Sequence, residues 1–309
     1  MWAIETRGLK KVYRSLIGGT PVVAVAELNL QVPYGCVFGF LGPNGAGKTT
    51  TIQILIGNVY PTAGQAWVLG YKAGALAAKR RLGFLPEKFQ FHEFLTAEEF
   101  LKLHGRLAGM DGKTLAKRID EVLELVGLQE RRKSRIREFS KGMQQRIGLA
   151  QAILHDPDLV ILDEPTSALD PLGRRRVREV IEYLKQQGKT VFLNSHLLSE
   201  VERSCDMVAI LNKGRVVKQG TLEALLVHKS VVVLELRQVV PSVLEALERV
   251  ATKVQPLDTN RVMAEVADER AIPELARAVV YAGGELMGMQ AKRETLEDLF
   301  IQLVEGEAK

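Results

Sequence analysis

The sequence predicts an α/β protein with a phosphate-loop nucleotide fold, followed by a small α+β domain of ferredoxin-like order. Three observations predict this. The stretch "GPNGAGKT" sits between a buried strand and a helix. From residue 140 onward, short apolar runs alternate with helical segments, the pattern of a largely parallel sheet. Beyond residue 226 the segments follow one another as strand, helix, strand, strand, helix, strand and a final helix.

A chain of 309 residues suggests two domains, expected at 1–225 and 226–309. Hydrophobic content of 46% and charged content of 26% suit a globular protein with a full core. No run approaches the roughly 18 apolar residues needed to span a bilayer. The start, "MWAIETRGLKKVYR", has no apolar signal region, so the chain is expected in the cytosol. Cys36 and Cys205 have no metal or redox spacing, and Cys36 lies in an apolar run, as a buried reduced thiol would. The net charge of +5 could draw nucleic acid or an anionic membrane. It arises from nearly balanced totals, 42 basic against 37 acidic residues, and no aromatics interleave the basic clusters. No nucleic-acid partner is expected.

Taking the elements in order, "AELNLQVPYG" alternates apolar and polar residues as a half-buried strand does, and "CVFGFLGPNG" is a buried strand entering a loop. "GKTTTIQILIGN" continues as a helix. Residues 96–127 have helical periodicity, with Thr96 as N-cap and Glu99 as its capping-box partner. "DLVILDEP" and "KTVFLNSH" are short buried strands. In the second domain, 231–237 and 261–268 read as strands, 241–254 and 272–284 as helices. "QPLDTN" is partly strand or turn, "ELMGMQAK" a strand and "TLEDLFIQLVEG" the last helix. This domain holds no glycine-rich loop and no cluster of His, Cys or carboxylates, so a regulatory or dimer-forming role is expected.

The chemistry concentrates in the first domain. Gly42, Gly47, Lys48 and Thr49 satisfy the phosphate-loop pattern. Glycines let backbone N–H groups curl around phosphate oxygens, and the helix N-terminus adds partial positive charge. The expected ATP-binding set is Gly42, Pro43, Asn44, Gly45, Ala46, Gly47, Lys48, Thr49 and Thr50. Lys48 would reach the β and γ phosphates, and the Thr49 hydroxyl would ligate Mg2+. "LVILDEP" ends a strand in two carboxylates: Asp163 would hold Mg2+ through its water shell, and Glu164 would orient or deprotonate the attacking water. "FSKGMQQR" (139–146) also has phosphate-site chemistry, although one nucleotide rarely needs two phosphate grips.

The order of "GPNGAGKT", "FSKGMQQR", "LVILDEPTSALD" and "LNSH" resembles the ATP-binding cassette (ABC) ATPases over roughly residues 1–220. The resemblance implies a head-to-tail dimer with two ATPs sandwiched between subunits, and a helical subdomain at about 88–155. It makes Ser140, Lys141, Gly142 and Met143 the signature segment that faces the other subunit's ATP. Lys141 and Met143 depart from the usual LSGGQ, and a cation at 141 could attract the triphosphate or an acidic residue across the interface. Ser167 and Asp170, in "SALD", match the loop that crosses the dimer interface. His196 matches the switch histidine, and Tyr13 the aromatic that stacks on adenine. Glu87 stands where the family usually has glutamine, so a carboxylate would approach Mg2+ or the attacking water. Glu87, "SKGM" and "TLEDLF" resemble the exporter branch whose permeases are separate membrane proteins, often of multidrug, polysaccharide or sodium type. Glu87–Phe94 is then the expected contact for the permease.

The resemblance implies the ATPase subunit of an exporter, located at the inner face of the cell membrane and driving a separate permease as a homodimer or heterodimer. The alternative is a soluble ABC ATPase of translation or DNA repair. Translation types usually carry two cassettes and repair types long coiled coils; neither is present. A phosphate-loop kinase would lack the Ser140 segment and His196.

Overall fold

In the computed structural model, residues 1–14, 20–167, 169–226, 230–266, 269–292 and 295–305 are described. The chain divides into two compact units, Met1–Leu222 and Glu223–Gln302, with the chain end from Leu303 grouped with the first. The division falls three residues before the expected 225/226.

The first unit begins with two long strands, β1 (Trp2–Tyr13) and β2 (Val22–Pro33), paired antiparallel. Next come β3 (Val37–Leu41), α1 (Lys48–Leu55), β4 (Ala63–Val68), β5 (Tyr71–Lys72), α2 (Leu76–Lys79) and β6 (Leu82–Leu85). Three helices follow, α3 (Ala97–Leu107), α4 (Gly112–Leu125) and α5 (Lys141–Ile153), and they pack on one another as the expected helical subdomain. The chain returns through β7 (Leu159–Asp163), α6 (Pro171–Gln186), β8 (Thr190–Asn194), α7 (Leu198–Ser204), β9 (Met207–Asn212), β10 (Arg215–Thr221) and α8 (Leu222–Leu225).

The sheet order is β5-β4-β1-β2-β10-β9-β3-β8-β7-β6. Its centre is parallel: β3 lies between β9 and β8, and β7 between β8 and β6. Every residue of β3, β7 and β8 is buried, as parallel strands covered on both faces must be. Inside the core Phe38 stacks parallel to Phe192 at a centroid distance of 5.8 Å, and Phe40 packs on Phe192 tilted, at 5.0 Å. Register matters most at the carboxyl ends. Phe40 pairs with Asn194, and Asn194 with Asp163. The ends of β3, β8 and β7 therefore stop level, where ligands bind in open α/β sheets.

The helical stretch expected over 96–127 is two helices. Gly109 takes a left-handed φ of 84°, and the Asp111 side chain accepts hydrogen bonds from the N–H groups of Lys113 and Thr114 to start a new helix. The expected capping box is present: Glu99 N–H donates to Thr96 Oγ1, and Thr96 N–H donates to Glu99 Oε2.

The second unit takes in all of α8 but Leu222, then β11 (Ser230–Leu236), α9 (Pro241–Glu248), β12 (Lys253–Pro256), β13 (Arg261–Val266), α10 (Ile272–Tyr281), β14 (Leu286–Lys292) and α11 (Leu296–Glu305) as far as Gln302. Its sheet runs β12-β13-β11-β14, antiparallel throughout. That order with two crossover helices is consistent with a ferredoxin-like fold. The helix expected over 241–254 ends at Glu248, because Thr252 N–H already donates to Glu265 O and starts the strand pairing. The helix expected to 284 ends at Tyr281, followed by Gly283 with φ 78°. Ala267 and Asp268, expected in a strand, lie outside the described residues.

Candidate functional site

The phosphate loop leaves β3 and enters α1, so α1 starts at Lys48 with its N-terminus at the carboxyl edge of the sheet. The loop is tight for a definite reason. Gly47 has φ 101°, and a Cβ there would lie 2.3 Å from the carbonyl oxygen of Ala24. A glycine is thus required for β2 to run against the loop. Lys48 Nζ folds back to donate to the carbonyls of Gly42 (2.7 Å) and Pro43 (3.1 Å), which sets the cation over the loop. Burial pulls its pKa down, while Glu164, Asp163 and Glu87 oppose the shift. Thr49 is exposed at the helix start; Thr51 is buried and donates to Gly47 O.

Asp163 ends β7, buried, and accepts a 2.5 Å hydrogen bond from Asn194 Nδ2. Burial raises its pKa; the Asn194 bond lowers it, and Glu87 adds repulsion. Glu164 leaves the strand with φ 53°, a left-handed backbone that a non-glycine residue rarely adopts. Its N–H donates to Asn194 O, and its carbonyl accepts from Ser167 Oγ. The turn so fixed aims the carboxylate at His196, whose Nδ1 lies 2.7 Å from Oε2. Burial raises the Glu164 pKa, and His196 works against that rise. Glu87 is exposed just beyond β6, near enough to act electrostatically on both Lys48 and Asp163.

Lys48, Asp163, Glu164, His196 and Glu87 therefore form one group. Thr49, Asp163 and Glu87 offer one hydroxyl and two carboxylates, hard oxygen donors of the kind that suit Mg2+. The buried Asn194 Oδ1 has no hydrogen-bond partner, as a group facing a metal's water shell would leave it. The residues fit a magnesium nucleotide.

The signature residues form a different group. Ser140 caps α5, accepting from Met143 N–H, and Lys141 and Gly142 open that helix. With Leu169 and Asp170 they line a separate cleft of about 820 Å3, which no phosphate-loop residue lines. Arg146, Arg175 and Arg176 share that cleft. Asp170 caps α6 through Gly173 N–H. Ala168, within the "SALD" segment, lies outside the described residues. Gln145 Nε2 reaches Glu164 O at 3.5 Å, linking α5 to the turn after β7.

Tyr13 is exposed at the end of β1, opposite Val22, two residues from the Ala24 carbonyl that abuts Gly47. Lys11 Nζ sits 5.0 Å from its ring centroid. After Glu87, Phe89 and Phe91 pack with Phe100 and His104 of α3, while Phe94 is exposed. Both cysteines are buried and free, as expected of Cys36; burial pushes its thiol up to about 11.

Asn194 and Gln145 were not singled out in the sequence. Asn194 lies two residues before His196 in "LNSH", but its importance depends on register with the neighbouring strand. Gln145 shows no local sign of reaching Glu164.

The profile of the ABC transporter family matches residues 25–167. An uncharacterised ABC transporter ATP-binding protein, all4389 of Nostoc sp., is 47% identical over 72% of this chain and 68% of its own length. The bacitracin transport ATP-binding protein BcrA of Bacillus licheniformis is 42% identical over 70% of this chain and 69% of its own. The Nod factor export ATP-binding protein I of a Rhizobium sp. is 34% identical over 97% of this chain and 96% of its own. A solved ATP-binding subunit of an ABC transporter superposes with a TM-score of 0.66 at 32% identity, over 72% of this chain and 91% of that one. The chain belongs to the ATP-binding subunits of ABC transporters. Its first unit is an ABC ATPase domain, whose fold binds and hydrolyses ATP with Mg2+.

Proposed function

We propose that this subunit powers an exporter through a separate permease, as a head-to-tail dimer in which the phosphate loop of one copy and the signature of the other hold the same ATP. One observation carries the dimer: the two phosphate-binding segments line different places in one chain. Lys48 lies with Asp163 and Glu164, whereas Ser140, Lys141 and Gly142 open onto their own cleft. Two copies in head-to-tail order bring each segment to the other's counterpart.

Lys48 and the loop N–H groups hold the phosphates, Tyr13 stacks on the adenine, and Ser140 and Gly142 approach the γ phosphate from the second copy. Ser167 and Asp170 lie at the subunit contact. Magnesium, when bound, neutralises charge on the phosphates, held by Thr49, Asp163 and Glu87. Glu164 accepts a proton as water attacks the γ phosphorus and the bond to the ADP oxygen breaks. His196, whose Nδ1 lies 2.7 Å from Glu164 Oε2, holds that carboxylate in position.

Among the described residues no helix is long and apolar enough to cross a membrane. The exposed Phe94, on a segment anchored by Phe89 and Phe91, is the candidate permease contact, with the subunit at the inner membrane face. The full-length likeness to a Nod factor export protein supports export.

Glu164→Gln tests the reading. It should bind ATP normally, lose turnover by about 10²–10⁴-fold and accumulate as a dimer on light scattering. A monomer at saturating ATP would overturn the sandwich.

A further inference from the structure

Tyr13 is the last residue of β1 and is 43% exposed, a place where an unsupported side chain hops between rotamers within nanoseconds. Its ring is supported. Lys11, two residues earlier on the same strand, is partly buried and lays its Nζ over the ring, 5.0 Å from the centroid. The same ammonium donates to the carbonyl of Tyr60 at 2.8 Å. Tyr60 lies in the loop between α1 and β4. That loop is fastened to β1 by other bonds as well: Thr62 N–H donates to Lys10 O (2.7 Å), and Val12 N–H donates to Thr62 Oγ1 (3.0 Å). The partners of the Lys11 ammonium among the described residues are thus a carbonyl and a ring, not a carboxylate. Across the strand pair, the register steps from Lys11–Val25 to Val12–Val23 and skips Ala24, the residue whose carbonyl abuts Gly47. Ring, ammonium and phosphate loop are therefore carried by one short stretch of β1 and β2 and by the loop that follows α1.

We propose that Lys11 is a positioning residue for the purine base: its ammonium, held at the Tyr60 carbonyl, covers one face of Tyr13 and sets the ring to stack on adenine with the other. This rests on the stacking role given to Tyr13 above. A cation over one face is attracted by the ring quadrupole, and the opposite face stays open for offset stacking on an aromatic ligand. Two effects follow. The ring is ordered in the free protein, so the base does not have to order it on binding. The cation also draws electron density from the ring, which favours contact with an electron-rich purine. The ammonium is bound to Tyr60, so its influence reaches the nucleotide through the ring and the base. Plain charge attraction would act on any polyphosphate, whereas a positioned ring acts only on one that carries a base.

The test uses the full chain, titrated calorimetrically without Mg2+ so that no turnover intervenes. The two probes are ATP and inorganic tripolyphosphate. Lys11→Met keeps the length of the side chain and removes its charge. It should weaken ATP binding by about two- to fivefold and leave tripolyphosphate binding as it was. Lys11→Arg, which keeps a cation over the ring, should bind ATP as the parent does. Tyr13→Ala should weaken ATP binding by about tenfold, and adding Lys11→Met to it should cost nothing more. The proposal is overturned if Lys11→Met leaves ATP binding unchanged, if it weakens tripolyphosphate binding equally, or if its effect persists in full without Tyr13. Unchanged ATP binding by Tyr13→Ala would overturn the stacking reading itself, and this proposal with it.

Discussion

Glu164 combines a left-handed backbone with a buried carboxylate. Burial raises its pKa above the usual value of about 4.3, and the same cause acts on Asp163. A base works only when ionised, so kcat/KM should fall on the acid side through a pKa above that ordinary value; an acid limb at or below about 4.3 would contradict this. The sign for stability follows from linkage. The native state holds the proton more tightly than the unfolded chain, so this contribution is full below the unfolded pKa and is lost as pH rises through the folded one. Glu164→Gln should therefore melt no lower than the parent at pH 7.5, and its advantage should shrink on acidification. Lys48, Asp163 and Glu164 were legible because each lies at a fixed place after a buried strand. Asn194 was not, because its hydrogen bond to Asp163 crosses between strands 31 residues apart.

At the scale of the element, end signals were more legible than continuity. Thr96 and Glu99 form the box their spacing announces, since both bonds lie within one turn. Thr96→Ala should cost about 1 kcal/mol. Thermal melting should register this as a fall of about 2–4 °C for a domain of this size. The break between α3 and α4 was hidden by apolar periodicity that continues across it. Yet Gly109 and Asp111 mark the stop and the start. The buried strands β3, β7 and β8 were read correctly because their apolar runs are short and end at loops carrying the site.

At the scale of the whole molecule, the two units have separate cores. Phe38, Phe40 and Ile52 belong to one; Val232, Leu234, Val243 and Leu275 belong to the other. Truncation after Leu225 keeps every residue of the phosphate loop, Asp163–Glu164 turn and His196. The shortened chain should fold and bind ATP, while its calorimetric scan loses one transition. An aggregated product without ATP binding would show that the first unit depends on the second.

By itself the sequence determined the fold class, the phosphate loop, the carboxylate pair and the order of the second domain. These rest on local chemistry: glycines at a turn, apolar runs and caps. Only the tertiary structure decided that Asn194 holds Asp163, that His196 meets Glu164 at 2.7 Å, and that the signature opens onto its own cleft. It likewise decided the strand order of the small sheet. Strand register and sheet order join residues far apart in the chain, and no local pattern encodes such distances.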